Sequence, residues 1–152
     1  MTDVVSPVVR SRMMASIRGR DTKPELQVRR YLHACGLRFR LVCKDLPGKP
    51  DLVLPRWRAV TFVHGCFWHG HAGCRYATVP KTRTEFWTSK IAGNAARDTR
   101  SVDALLTLGW RVFVVWECAL RDAPDPTLHS LEKAIRSGVQ QAEFRGPAQP
   151  LK

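Results

Sequence analysis

The sequence lacks a long hydrophobic segment. Its longest unbroken apolar run is Val112–Trp116, far short of the roughly 20 residues that a membrane-spanning helix needs. The N-terminal residues Met1–Val5 also lack the basic start and the apolar block of a secretory signal. We therefore expect a cytoplasmic protein that has no membrane partner.

Acidic side chains are also scarce. The chain of 152 residues has 25 lysines and arginines against 13 aspartates and glutamates, so its formal net charge is +12. A strongly basic surface favours a polyanionic partner, and nucleic acid is the commonest one. The hydrophobic share of 44% is typical of globular proteins and excludes a disordered chain, so the length predicts one compact domain.

The first half of the chain begins with a basic arm at residues 1–20. Thr22-x-x-Glu25 is a capping box that predicts a helix ending near Gly36. The alternation in residues 37–42 predicts a strand, and two more strands are expected at residues 51–54 and 59–64. The short link between the last two strands favours an antiparallel hairpin, and the apolar strand 59–64 is expected to be central.

In the second half, Thr82-x-x-Glu85 is another capping box and predicts a helix that runs to about Leu108, with a break near Gly93-Asn94. A strand at 110–116 and a last helix at 127–137 follow. Strands enclosed by helices predict an α/β fold with three layers and a central mixed sheet. We expect a single domain over residues 21–137 and a poorly ordered tail at 138–152.

The five cysteines are an odd number, which argues against a closed disulfide framework and favours metal ligands or buried thiols. Cys66, His71 and Cys74 have the spacing C-x4-H-x2-C, and Cys118 follows the strand that ends at residue 116. Three sulfurs and one imidazole suit a closed, structural zinc site. Two alternatives stay open: Cys66 and Cys118 are ordinary buried thiols, or His69 replaces His71 as the ligand.

A second group of residues suits hydrolytic chemistry. Asp51 opens one strand of the predicted hairpin and His64 closes the other, so the two are expected near one edge of the sheet. A carboxylate there can hold magnesium, and the imidazole of His69 can exchange a proton with water. Glu25 could add an outer contact to the cation, although capping alone explains it, and His64 could be a satisfied core histidine.

Several segments together resemble one family. They are Arg10–Glu25, Leu46–Asp51, Phe62–His71, Thr82–Trp87 and Gly109–Leu120. They look like the very-short-patch repair (Vsr) endonucleases, and the resemblance covers about residues 10–121.

The resemblance implies a restriction-endonuclease-like fold. It also implies a strand-specific nick 5′ of the thymine in a T:G mismatch, the product of 5-methylcytosine deamination. By this resemblance Asp51 is the principal Mg²⁺ ligand, His69 the general base or water-orienting group, and His64 a group that stabilises phosphate charge. Glu25 acts through water, and Zn²⁺ is held by Cys66, His71, Cys74 and Cys118.

The resemblance further implies how the chain contacts double-stranded DNA. Phe67, Trp68 and Trp87 match aromatic side chains that wedge into the base stack beside the mismatch. The arm matches a segment that crosses the minor groove, and its arginines are Arg10, Arg12, Arg18 and Arg20. We expect a monomer that can work with mismatch-repair helper proteins. The alternative hypotheses are a zinc-stabilised DNA-binding module without catalysis and a nuclease of the same fold with another target.

Overall fold

The computed structural model describes residues 21–41 and 44–146, and a four-stranded sheet is at its centre. The strands are β1 (Leu52–Leu54), β2 (Ala59–His64), β3 (Arg111–Trp116) and β4 (Gln141–Phe144). They lie in the order β1-β2-β3-β4. β1 and β2 form the predicted antiparallel hairpin, whereas β2 with β3 and β3 with β4 are parallel. The mixed sheet is therefore confirmed, with β2 buried along its whole length as predicted.

Helices cover both faces of the sheet. They are α1 (Lys23–Ala34), α2 (Thr84–Thr107), α3 (Glu117–Asp122) and α4 (Pro124–Ser137). Buried side chains of α1 and α4 pack with Val63 and Phe113 on one face. Leu105 of α2 packs with Phe62 and Val114 on the other face. Because successive side chains of a strand point to opposite faces, the apolar strands supply both cores, and the predicted three-layer α/β fold is confirmed.

Several predicted boundaries differ from the structure. Of the predicted strand at 37–42, the described residues form a single bridge, in which Arg40 pairs with Val53. The second capping box is wrong: α2 begins at Thr84, and Arg83 precedes it with a φ of 55° and no side-chain cap. The helix also runs unbroken through Gly93, because its contacts along the sheet outweigh the modest cost of one glycine.

The chain after β3 contains more regular structure than predicted. α3 follows β3 directly, and α4 begins at Pro124 rather than at residue 127. The prediction of a poorly ordered tail from residue 138 is wrong for the described part. β4 pairs with β3, while Ala142 and Phe144 pack against the core. The arginines of the basic arm lie outside the described residues. Within the described ranges, no helix has the length and apolar character needed to cross a membrane.

Candidate active site and metal cluster

Asp51 lines a cleft of about 880 Å³ at the end of the sheet where β1 begins and β2 ends. Its Oδ2 accepts a hydrogen bond of 2.7 Å from the backbone nitrogen of Val63, a contact that follows from the register of the hairpin. Its Oδ1 has no hydrogen-bond partner in the part of the chain that the structure describes. One carboxylate oxygen therefore remains for a ligand in the cleft.

The environment of Asp51 opposes its negative charge. Burial raises the pKa of Asp51 from 3.8 to about 7, the hydrogen bond from Val63 acts against this rise, and the charge of Glu25 adds to it. Neighbouring carboxylates disfavour each other's ionisation, and a bound cation reverses this effect. The donor set is hard oxygen, so the residues fit a cation such as Mg²⁺.

Glu25 joins this cleft from the first turn of α1, with its side chain only 8% exposed. Its backbone nitrogen donates to Thr22 Oγ1 at 3.4 Å, which confirms the predicted cap. Its Oε2 accepts from the backbone nitrogen of Asp21 and from Arg29 Nη2, each at 3.0 Å. Capping and the ion pair thus use one carboxylate oxygen and position the residue beside the cleft.

His64 and His69 stack face to face. Their ring centroids are 3.9 Å apart and their planes differ by 6°. His64 ends β2, and His69 lies in the following loop, where its backbone nitrogen donates to Gly65 O at 3.2 Å. His69 Nδ1 lies 2.5 Å from Asp98 Oδ2. This contact fixes the imidazole and leaves Nε2 to exchange a proton, an arrangement typical of a general base oriented by a carboxylate.

His64 is held in its neutral form. Burial lowers its pKa to about 3, and the neighbouring His69 adds to this effect. Its Nδ1 is buried and has no hydrogen-bond partner among the described residues. An unsatisfied buried nitrogen is costly, and this one lies in a residue that lines the cleft. His64 is therefore suited to contact a bound group as a neutral imidazole, not as a cation.

Asp98 is the residue that the sequence reasoning missed. It lies on α2 four residues after Asn94, which donates to the backbone oxygen of Trp68 at 2.9 Å. Trp87, Ile91, Asn94 and Asp98 follow the spacing of one helix face, and this face packs on the loop after β2. A Cβ on Gly70, whose φ is +60°, would lie 2.6 Å from Ile91. The helical spacing from Trp87 was the signal that could have identified Asp98.

The cleft is lined by charges of both signs. The acidic residues that line it are Glu25, Asp51, Asp98 and Glu117. The basic residues are Lys23, Lys49, Lys90 and Arg97. Carboxylates can hold a cation, and the lysines and arginine can neutralise phosphate oxygens. The arrangement therefore suits a phosphodiester that meets a metal ion.

A separate cluster is formed by Cys66, His71, Cys74 and Cys118. Their ligand atoms all lie within 4.8 Å of one another. His71 Nδ1 lies 3.5 Å from Cys118 Sγ, and the backbone nitrogen of Cys118 donates to Cys66 Sγ at 3.3 Å. The structure thus brings together the predicted ligand set with His71, while His69 belongs to the cleft.

The chemistry of these ligands fits zinc. Burial raises the pKa of the Cys66 and Cys118 thiols, so both stay protonated until a cation stabilises their thiolates. Three sulfurs and one imidazole are a donor set that Zn²⁺ binds with tetrahedral geometry. With four protein ligands the site has no open position, which is typical of a structural metal.

The predicted wedge residues form one aromatic cluster beside the cleft. Phe67 and Trp68 have ring centroids 5.0 Å apart, and Trp87 of α2 lies 5.5 Å and 5.8 Å from them. Phe86 extends the cluster, with a centroid 5.1 Å from that of Trp87, and is 44% exposed. Phe67 and Trp68 also line the cleft. An aromatic surface thus adjoins the acidic and imidazole groups.

Comparison with known proteins bears on what this arrangement does. A family model described as DNA mismatch endonuclease Vsr matches residues 2–75. The type II nicking enzyme V.XorIIP of Xanthomonas oryzae pv. oryzae is 52% identical over 90% of this chain and 96% of its own. The DNA mismatch endonuclease Vsr of Escherichia coli is 45% identical over 91% and 88%. The type II nicking enzyme V.NmeAIP of Neisseria meningitidis is 43% identical over 80% and 86%.

The mixed sheet flanked by helices is consistent with the restriction-endonuclease-like fold that the resemblance implied. This level of sequence identity over almost the whole length groups the chain with these nucleases. Its substrate is therefore DNA. The chain belongs to the Vsr family of DNA mismatch endonucleases.

Proposed function

We propose that the chain nicks one strand of duplex DNA 5′ of the thymine in a T:G mismatch that arises from deaminated 5-methylcytosine. The observation that carries the proposal is that Asp51, His69 and Asp98 line the same cleft, in which His69 and Asp98 contact each other. The aromatic cluster beside the cleft supports a mismatch as the target. A mismatched pair is less costly to unstack than a matched pair, so inserted rings open it more readily.

Asp51 is the proposed principal ligand of Mg²⁺, with Glu25 in an outer contact. When bound there, the cation neutralises phosphate charge and polarises the phosphoryl oxygen. His69 takes a proton from the attacking water at Nε2, because Nδ1 is committed to Asp98. Asp98 then stabilises the imidazolium that forms. His64 contacts the phosphate as a neutral group, in keeping with its lowered pKa.

Two further parts of the proposal concern DNA binding and stability. Phe67, Trp68 and Trp87 wedge into the stack beside the mismatch. The arm crosses the minor groove, where arginines contact phosphate and add affinity without much sequence choice; these are Arg10, Arg12, Arg18 and Arg20. Zn²⁺ on the cluster of Cys66, His71, Cys74 and Cys118 stabilises the loop that carries His69 and two of the wedge residues, Phe67 and Trp68.

The proposal is tested by nicking of T:G duplexes and matched T:A duplexes, with and without Mg²⁺. We expect a nick on one strand of the T:G duplex, only with Mg²⁺. Asp51→Ala and His69→Ala should abolish nicking and retain DNA binding. Absence of nicking by the wild-type chain, with DNA binding unchanged in both variants, would instead identify a zinc-stabilised DNA-binding module, and equal nicking of T:A duplexes would identify a nuclease with another target.

A further inference from the structure

β4 and the residues after it bring two charged side chains against the rings at the end of β3. Glu143 Oε1 accepts a hydrogen bond from the indole Nε1 of Trp116. Arg145, two residues on, donates from Nε to His71 Nε2 at 3.3 Å. Alternate residues of an extended chain point to the same side, so both side chains reach the same stacked pair of rings, Trp116 and His71.

Trp116 connects this segment to the cleft. It ends β3 directly opposite His64 in the register of the sheet. Its ring meets that of His64 edge to face, with centroids 5.1 Å apart and planes at 75°. His64 in turn stacks on His69, so the ring contacts run from Trp116 through His64 to His69. Trp116 also stacks on His71, at 3.9 Å and 5°.

The orientation of Trp116 therefore bears on the position of both cleft histidines. The indole has a single polar atom, Nε1, which donates its hydrogen bond to Glu143 Oε1. Trp116 is only 8% exposed, so without this acceptor its N–H loses its protein partner, and a ring rotation that finds another partner becomes favourable. Such a rotation moves the ring edge against which His64 packs.

We propose that Glu143 is a positioning residue for the nicking reaction, acting through Trp116 on His64 and the stacked His69. The inference rests on the proposed role of His69 in the cleft. It makes β4 part of the active-site architecture, although no residue of β4 lines the cleft. A displacement of a catalytic group by about 1 Å can lower a rate about 100-fold.

The test compares three substitutions on one strand. Glu143→Ala removes the acceptor, Glu143→Gln keeps an amide oxygen in its place, and Gln141→Ala is the control on the same face of β4. Glu143 and Gln141 are both exposed, so the core stays unchanged. The measurements are the single-turnover nicking rate at saturating T:G duplex, the Kd for that duplex and the zinc content.

We expect Glu143→Ala to lower the nicking rate about 10-fold to 100-fold while the Kd and the zinc content stay at wild-type values. Glu143→Gln and Gln141→Ala should nick within about threefold of wild type, which is under 1 kcal/mol. An unchanged rate in Glu143→Ala would overturn the inference. Loss of zinc in parallel with the rate would also overturn it, because the effect would then be on the metal cluster.

A spectroscopic measurement follows the contact itself. The ¹H–¹⁵N signal of the Trp116 indole, assigned by its loss in Trp116→Phe, should shift in Glu143→Ala and return towards its wild-type position in Glu143→Gln. Trp116→Phe keeps a ring and removes the N–H through which Glu143 orients it, so we expect its rate to fall as well. An unshifted indole signal contradicts the inference. Failure of the wild-type chain to nick T:G duplexes contradicts the proposed function instead.

Discussion

Asp51 is a carboxylate held where its charge is unfavourable. The hydrogen bond from the Val63 backbone does not offset the burial that raises the pKa of Asp51 to about 7. The unfolded chain releases this proton near pH 3.9, so between about pH 4 and 7 the folded state binds a proton that the unfolded state does not. Stability therefore falls as the pH rises through this window.

Asp51→Asn should accordingly stabilise the protein while abolishing nicking. The amide keeps an oxygen for the Val63 N–H and carries no charge. At pH 8 without Mg²⁺ we expect the Tm to rise by about 3 °C or more, since about 1 kcal/mol corresponds to about 2–4 °C in a domain of this size. The gain should shrink as the pH falls from 7 to 4. A Tm difference that does not depend on pH would contradict this account.

Bound Mg²⁺ should lower the pKa of Asp51, which is the opposite of the effect of burial. A cation on Asp51 favours the ionised form, so it competes with the proton. At subsaturating Mg²⁺ we expect the nicking rate to increase with pH up to about 7, and higher Mg²⁺ should move the midpoint of this increase to lower pH. Rate profiles at several Mg²⁺ concentrations would measure it. A midpoint that does not change with the Mg²⁺ concentration would show that the pH dependence does not arise from Asp51.

Asp98 orients the proposed base. Asp98→Asn keeps the shape of the side chain but offers an amide to His69 Nδ1, which favours the wrong tautomer. We expect the single-turnover nicking rate to fall about 100-fold or more, with the Kd for T:G duplex unchanged. Asp103→Asn, on an exposed part of the same helix, is the matched control and should nick as the wild type does. Equal rates in the two variants would remove Asp98 from the mechanism.

At the scale of single residues, much of the cleft could be predicted from the sequence. Asp51 and His64 were placed together because a hairpin and one apolar strand bring the start of β1 to the end of β2. Asp98 was not predicted because an aspartate in a helix usually faces solvent. Its partner lies 29 residues away in a loop without periodicity, and only tertiary packing brings the two together.

At the scale of elements, the loop after β2 carries three kinds of residue: ligands of the metal cluster, His69 and the wedge residues Phe67 and Trp68. It has little regular hydrogen bonding of its own, so the cluster fixes its path. Cys66 and Cys118 also connect it to α3, through the contact between Cys118 N and Cys66 Sγ. Removal of a ligand should therefore loosen the loop and the site together.

Cys74→Ser should lower both the zinc content and the Tm. Metal binding contributes directly to folding stability in such sites, and we expect the Tm to fall by about 5 °C or more, corresponding to about 2 kcal/mol. Cys35→Ser is the matched control, since Cys35 is also a half-buried free thiol but lies outside the cluster. Soluble, active wild-type protein without zinc would contradict the assignment.

The aromatic cluster predicts an effect on discrimination between T:G and T:A duplexes. Trp68→Ala removes a ring that contacts both Phe67 and Trp87. If these rings open the mismatch, the ratio of Kd values for T:A and T:G duplexes should fall, by about tenfold for a stacking contribution of about 1–3 kcal/mol. Equal weakening on the two duplexes would show that Trp68 contributes affinity and not discrimination.

Elements whose stability comes from remote contacts were the ones the sequence did not predict. β4 has only the weak pattern Gln-Ala-Glu-Phe, and it forms because β3 offers a parallel edge and Trp116 a partner for Glu143. α3 follows β3 without an intervening loop or a side-chain cap. Conversely, α1 was predicted well because its cap and its apolar spacing are local.

At the scale of the whole molecule, the reactive groups gather at one end of the sheet. β2 and β3 are parallel and both end there, at His64 and Trp116, while the antiparallel β1 begins there after Asp51. Carboxyl ends of parallel strands are common places for ligand sites. The metal cluster adjoins this end because Cys66 and Cys118 each follow one of the two parallel strands by two residues.

The unbroken course of α2 has a consequence for where the DNA is cut. Trp87 and Asp98 are eleven residues apart, which is about three turns and about 16 Å along the axis. If Trp87 inserts beside the mismatch and Asp98 orients the base as proposed, the helix fixes the distance between the point of base insertion and the point of hydrolysis. One residue added near Gly93 would turn the two ends by about 100° relative to each other, so a variant that still engages the mismatch would be unable to present the same phosphate.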